Sequence, residues 1–249
     1  MLPFGQCPSS LLIGCVVALT SVAAVRADEQ TQVRAIIGKA IKAQGGAERL
    51  QKLPAQTWEE SGTYYGLGQT TPYKASIAAH YPARVKIDVE NVYTAAIDGD
   101  RGWMTSKGET RDLRKDLLAD RREEQYADWV STLLPLRDKK FKLALYNDTV
   151  VESKPAAGVR VSWKESRGLN LYFDKESGLL VKTEQQVNSQ EQQGQEVMQE
   201  IIFTEFEDVQ GMKFPMKTVT RRNGKQFLKV TRTEVKRLEK LDDSLFTRP

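Results

Sequence analysis

Few residues in this chain have the types and spacing that chemistry needs. Among 249 residues there is one histidine, His80, and two cysteines, Cys7 and Cys15, both close to the N-terminus. A Ser-His-Asp triad would have to use His80 as its base, but no Gly-x-Ser-x-Gly elbow accompanies it. It stands beside Tyr81-Pro82 at what reads as a strand end, where a structural histidine is the simpler reading. Zinc sites built from several His and Cys are excluded. Carboxylates are plentiful, and a glycosidase needs only two. Here they alternate with Lys and Arg, as in Arg84, Lys86, Asp88 and Glu90, which marks a wet face and separates no pair of pKa values. Asp98-Gly99-Asp100 lacks the remaining ligands of a calcium loop and reads as a turn. Gly66-Leu67-Gly68 is too short for a dinucleotide fingerprint. Trp58, Trp103, Trp129 and Trp163 could stack on a ligand, but all stand where a core would also want them. No metal and no cofactor is implied, and the protein is expected not to be an enzyme.

The elements that would position these residues follow from periodicity. Val33, Ile36, Ile37, Ala40 and Ile41 recur at helical spacing, with Asp28 as the expected N-cap and Gly45-Gly46 as the stop. A short helical turn, Ala47 to Leu53, ends at Pro54. From Thr57 the period changes to 2. Val85, Ile87 and Val89 alternate with charges, as do Val159, Val161 and Trp163; Leu169, Leu171 and Phe173 alternate with Asn170, Tyr172 and Asp174, so each strand is expected to have one buried and one wet face. Turn signals at Asp98-Gly99, Lys175 to Gly178 and Asn223-Gly224 separate the runs, which predicts an antiparallel meander. No βαβ alternation appears.

One long interruption, Arg114 to Asp138, reads as a helix with a charged first half. Its second half places Tyr126, Trp129, Val130, Leu133 and Leu134 on one face, suited to cover the concave side of a curved sheet. Gln185 to Glu196 is nearly devoid of apolar residues and is expected to be a mobile hairpin tip. Near the C-terminus, Leu245-Phe246 should tuck back onto the body.

The first 27 residues read as a secretory leader: an apolar core from Leu11 to Val25 and a small-residue site before Asp28-Glu29. Leu12-Ile13-Gly14-Cys15 resembles a lipobox, yet the apolar run continues past Cys15. The run is also short for a membrane span. Export to the periplasm is therefore expected, with 28–249 as one domain free of cysteine. The formal charge of +4 is too small to suggest nucleic acid.

Four segments carry a family resemblance: Ala40 to Leu50 (AIKAQGGAERL), Ile97 to Met104 (IDGDRGWM), Leu171 to Lys182 (LYFDKESGLLVK) and Phe206 to Pro215 (FEDVQGMKFP). They resemble bacterial outer-membrane lipoprotein-sorting proteins of the LolA/LolB-like superfamily. The resemblance implies a mainly β (α+β) fold, an incomplete antiparallel β-barrel or strongly curved sheet covered by helices, whose apolar interior shields acyl chains. In the family's carrier an arginine on an early strand ties the helical lid shut, and Arg84 is the nearest counterpart.

The expected function is that of a periplasmic, non-enzymatic carrier or binding protein for lipid or lipoprotein acyl chains. Expected cavity-wall residues are Val85, Ile87, Val89, Trp103, Trp163, Leu171 and Phe173 from the sheet, with Ile37, Ile41, Trp129 and Leu133 from the helices. The alternative is a regulatory or assembly module of the same fold that binds a membrane protein; a hydrolase ranks third. A monomer is expected.

Overall fold

The computed structural model describes residues 17–163 and 166–249. Cys7, Cys15 and most of the expected leader lie outside the described residues. Helix α1 (Val17–Gln44) is followed by α2 (Ala47–Lys52) and by six strands: β1 (Ala55–Tyr64), β2 (Thr71–His80), β3 (Arg84–Val89), β4 (Tyr93–Asp98), β5 (Arg101–Ser106) and β6 (Glu109–Asp112). Helix α3 (Lys115–Ser131) and a 3-10 turn (Leu134–Arg137) lead to seven more: β7 (Lys142–Val151), β8 (Lys154–Ser162), β9 (Leu169–Asp174), β10 (Leu180–Ser189), β11 (Gln195–Val209), β12 (Met212–Arg222) and β13 (Lys225–Leu238). A last 3-10 turn spans Asp243–Phe246. Among the described residues, no helix is long and apolar enough to cross a membrane.

All thirteen strands form one antiparallel sheet in the order β6-β5-β4-β3-β2-β1-β13-β12-β11-β10-β9-β8-β7. Two meanders are therefore joined by the β1–β13 pair, and β6 and β7 are left as free edges. The sheet does not close into a barrel. Both edges are blunted, as exposed strand edges must be. Gln30 Nε2 donates to the Leu143 carbonyl at 2.8 Å, and the Leu145 N–H donates to Glu29 Oε1 at 3.3 Å, so α1 shields β7. Arg248 Nη2 donates to the Thr110 carbonyl on β6 at 3.1 Å.

This topology dictates the path of α3. The chain leaves the sheet at one edge and re-enters at the other, so the intervening segment must cross a face. The sheet is also strongly curved, as the contacts of α3 reveal. Arg122 pairs with Asp100 beyond β4, while Asp120, two residues away, accepts from Asn188 on β10. Seven strand spacings separate β4 from β10, about 34 Å in a flat sheet. A helix about 10–12 Å across bridges them only if the sheet curls around it.

The main core lies on this concave side. Val33, Ile37, Ala40 and Ile41 of α1, Val130 of α3, and Leu133 and Leu136 pack against Leu143, Val159, Val161, Leu169, Leu171, Phe173 and Met212. Each large side chain so buried contributes roughly 1.5–3 kcal/mol. Gly45, at φ +129°, lets the end of α1 approach the β11–β12 turn; a Cβ there would sit 2.6 Å from the Gly211 carbonyl oxygen. Asn223-Gly224 turns β12 into β13 with both φ values positive, as a two-residue hairpin requires.

Four expectations need correction. Asp28 is not an N-cap: α1 passes through it, since neither Pro nor Gly stands between Val17 and Ile37 to stop the helix. α3 ends at Ser131, and Leu133 adopts φ +66° ahead of Pro135, which cannot continue a helix. Leu133 is buried all the same. β9 has no wet face: all six residues are buried, because Tyr172 joins Val151, Ala156 and Ile202 in a separate cluster on the convex side. The glutamine-rich segment is mostly a paired ladder, from Gln185 opposite Gln199 to Ser189 opposite Gln195. Val187, Ser189 and Val197 point inward, so period-2 burial survives among polar neighbours.

Candidate functional site

α3 is fastened on both sides of the concavity. On one side Arg122 Nη1 lies 2.7 Å from Asp100 Oδ1. On the other, Asn188 Nδ2 and Gln190 Nε2 donate to the two Asp120 oxygens at 2.7 and 2.9 Å, and Arg167 lies 3.5 Å from Glu123. Under the C-terminal half of α3, Tyr81 Oη donates to Asp128 Oδ2 at 3.3 Å. A helix held this way roofs the space between its own underside and strands β1 and β10–β13.

That space is a cavity of about 140 Å³ with a two-part lining. Trp58, Leu180, Phe203, Phe206 and Phe214 give an apolar wall, and Tyr81, Asp128, Arg232 and Arg237 a polar one. It adjoins a cleft of about 500 Å³ between α2 and the 3-10 turn, which shares Tyr81, Thr132 and Arg237 and adds Leu50, Pro54, Trp129 and Leu134. Trp58 is oriented by Glu60, which accepts from its indole at 3.0 Å and from Tyr73 Oη at 2.8 Å.

The two arginines are unusual. Arg237 is only 5% exposed, and its Nε has no hydrogen-bond partner, as is true of Arg232 Nε. Both stack on aromatic rings: Arg232 lies 5.4 Å from the centroids of Trp58 and Phe214, and Arg237 5.7 Å from that of Phe214. Cation–π contact offsets part of the cost of burying them. Burial pushes the Arg237 guanidinium down to about 10, with Tyr81 opposing.

Asp128 responds in the opposite sense, its carboxyl pushed up to about 7 by burial and by Glu124, against the pull of Arg232 and the Tyr81 hydrogen bond. Asp128 lines the cavity and is itself an exposed residue. Contact with water screens part of that shift. Burial also raises the Tyr81 phenol well above its usual range, reinforced by Asp128. The polar wall is therefore net cationic, with a carboxyl that readily gives up its charge.

The expected wall residues fall into three groups. Val85, Ile87 and Val89 join Trp58, Ile77 and Ala79 on the concave side of β1–β3. Ile37, Ile41, Leu133, Leu171 and Phe173 are in the main core, with Trp129 and Trp163 against it. There Tyr126 stacks on Trp163 at 5.5 Å, and Trp129 meets Phe141 edge-on at 5.6 Å. Trp103 is on the convex face with Ala55, Ala96 and Phe246, its indole donating to the Phe246 carbonyl at 2.9 Å. Of the eleven, only Trp129 borders the cleft beside the cavity. Arg84 bonds to Asp98 and Asp243 and lies over Phe246, so it fastens the C-terminal turn and not a helix. His80 is opposite Ala55 and Arg84 in register, on the face away from Asp128.

Sequence reasoning missed Tyr81, Asp128, Arg232, Arg237, Phe203, Phe206 and Phe214. A signal existed for Phe203, Phe206 and Phe214 as aromatic positions on successive strands. None existed for the arginines, whose neighbours Lys229, Lys236 and Lys240 look alike in sequence.

No family model and no curated protein matches the chain. Solved structures do. A LolA superfamily protein from Nitrosomonas europaea superposes with a TM-score of 0.57 at 10% identity, covering 87% of this chain and 97% of that one. A DUF1329 family protein from Desulfovibrio piger gives 0.59 at 10% identity, over 86% and 97%. A domain described as an outer membrane lipoprotein-sorting protein, from Vibrio parahaemolyticus, gives 0.53 at 8% identity, over 85% and 97%. At such identities the likeness concerns the fold alone. The chain has a LolA-like fold, a thirteen-stranded curved sheet wrapped around its helices.

Proposed function

We propose that the protein is a non-enzymatic, exported binding protein that shields an acyl chain in the space between α3 and the concave sheet. The observation that carries this reading is the apolar wall of Trp58, Leu180, Phe203, Phe206 and Phe214 beneath a helix fastened at both sides. Transfer of each methylene from water contributes roughly 0.8 kcal/mol, so one chain binds without polar recognition along its length. The room favours one chain over several. The cavity and its adjoining cleft measure about 140 and 500 Å³, and pockets for a single ligand span about 300–1,000 Å³. The main core beneath α1 is filled by its own side chains, which is why Leu171 and Phe173 are not assigned to the ligand.

Native mass spectrometry of protein purified without detergent, followed by solvent extraction, tests the proposal. One acylated species per chain is expected, lost in a folded Phe206→Glu variant. A bare protein that also refuses fluorescent acyl probes would overturn it and favour a module that binds a membrane protein.

A further inference from the structure

Arg237 is a buried cation with no anion. It is 5% exposed, it lines both the cavity and the adjoining cleft, and neither it nor Arg232 forms an ion pair with any carboxylate among the described residues. Arg232 donates only to the Pro215 carbonyl, at a long 3.3 Å. The one acid on the cavity wall, Asp128, accepts from Tyr81 Oη and feels Arg232 through space, but it forms no ion pair with either arginine. A buried guanidinium without a partner is costly, and an anion bound beside it would relieve that cost.

Both guanidiniums flank the Phe214 ring, and the apolar wall continues from that ring to Phe203, Phe206 and Leu180. A ligand that satisfies both halves has a single anionic head and an apolar body. We infer that Arg232 and Arg237 receive the head of an amphiphile, a carboxylate or a phosphate ester, while its chain lies along Phe214 and Phe203. The guanidinium fork suits either head, since both offer oxygens for paired N–H donors. The inference rests on the acyl-binding proposal and narrows it. Trp58, fixed by Glu60, stacks on the Arg232 guanidinium beside that site.

The test compares three probes of equal chain length, dodecanoate, dodecyl phosphate and dodecanol, by calorimetry on the full chain and on folded Arg237→Gln and Arg237→Lys variants. The wild type should bind at least one anionic probe about tenfold or more tightly than dodecanol, the scale of a charge-assisted hydrogen bond. Arg237→Gln should abolish that preference by weakening the anionic probes far more than dodecanol, and Arg237→Lys should restore part of it. Which anion is tighter separates a free fatty acid from a phosphate headgroup. Equal binding of all three by the wild type would overturn the head site and leave the acyl proposal standing. Binding of none would overturn both. An Arg237→Gln protein that melts at a lower temperature and loses dodecanol as well would assign Arg237 a packing role and sink the inference.

Discussion

Arg232 and Arg237 stand five residues apart on β13, an odd separation that would send them to opposite faces of a regular strand, yet both face the cavity. Glu60 is opposite Arg232 and Gln56 opposite Arg237, and between them the register slips: Glu234 and Val235 together oppose the single residue Trp58. Glu234 takes up the extra length at φ +51°. Such a bulge re-aims every side chain beyond it.

The bulge can be tested at Glu234. Glu234→Gly should stabilise the protein by about 0.5–1 kcal/mol, because glycine adopts positive φ without a Cβ penalty, and Glu234→Val should destabilise it by about 1–2 kcal/mol. Urea denaturation of both variants measures this. A stable Val variant would mean that the bulge is not fixed at this position.

Asp128 makes stability depend on pH. Its carboxyl titrates near 7 in the folded chain against 3.8 for an ordinary aspartate, so between these values the folded state holds a proton that the unfolded state has released. The contribution of this group therefore falls as pH rises from about 4 to about 7 and stays low above that. Asp128→Asn should flatten this slope and be the more stable protein at about pH 8, with little difference at about pH 4. Urea midpoints at the two pH values decide it, and an unchanged slope in the variant would refute the assignment.

Asp120 joins α3 to the β10–β11 hairpin through both carboxylate oxygens. Asp120→Ala should cost roughly 1–2 kcal/mol and speed amide exchange in α3 and at the hairpin, leaving β1–β3 protected. Hydrogen exchange with mass spectrometry reads both regions at once. Uniform change across the sheet would show that the helix does not open separately.

Arg84 holds the turn containing Asp243 and Phe246. Arg84→Ala should loosen that turn and leave acyl binding unchanged, since the cavity is on the other face of the sheet. A loss of acyl binding in a folded variant would return Arg84 to the role that the family resemblance assigns it.

The strand-rich class, the hairpin turns and the presence of a helix able to cover the sheet were legible in the residues alone. These depend on local information: a period of 2 or 3.6, Asn-Gly or Asp-Gly at a turn, apolar residues every three or four positions. With one histidine and two cysteines near the N-terminus, composition likewise argues against multi-histidine and cysteine chemistry. Which apolar residues wall a cavity and which merely fill the core depends on packing between distant elements. Val85 and Trp103 have similar sequence contexts, yet the β3–β4–β5 register puts them on opposite faces. Phe173 and Phe214 are both inward-facing aromatics, but α1 covers one and leaves the other open. The two arginines were the least legible, because a one-residue bulge reverses the parity on which any reading of a strand depends, and its position is fixed by pairing with β1, some 170 residues away in the chain.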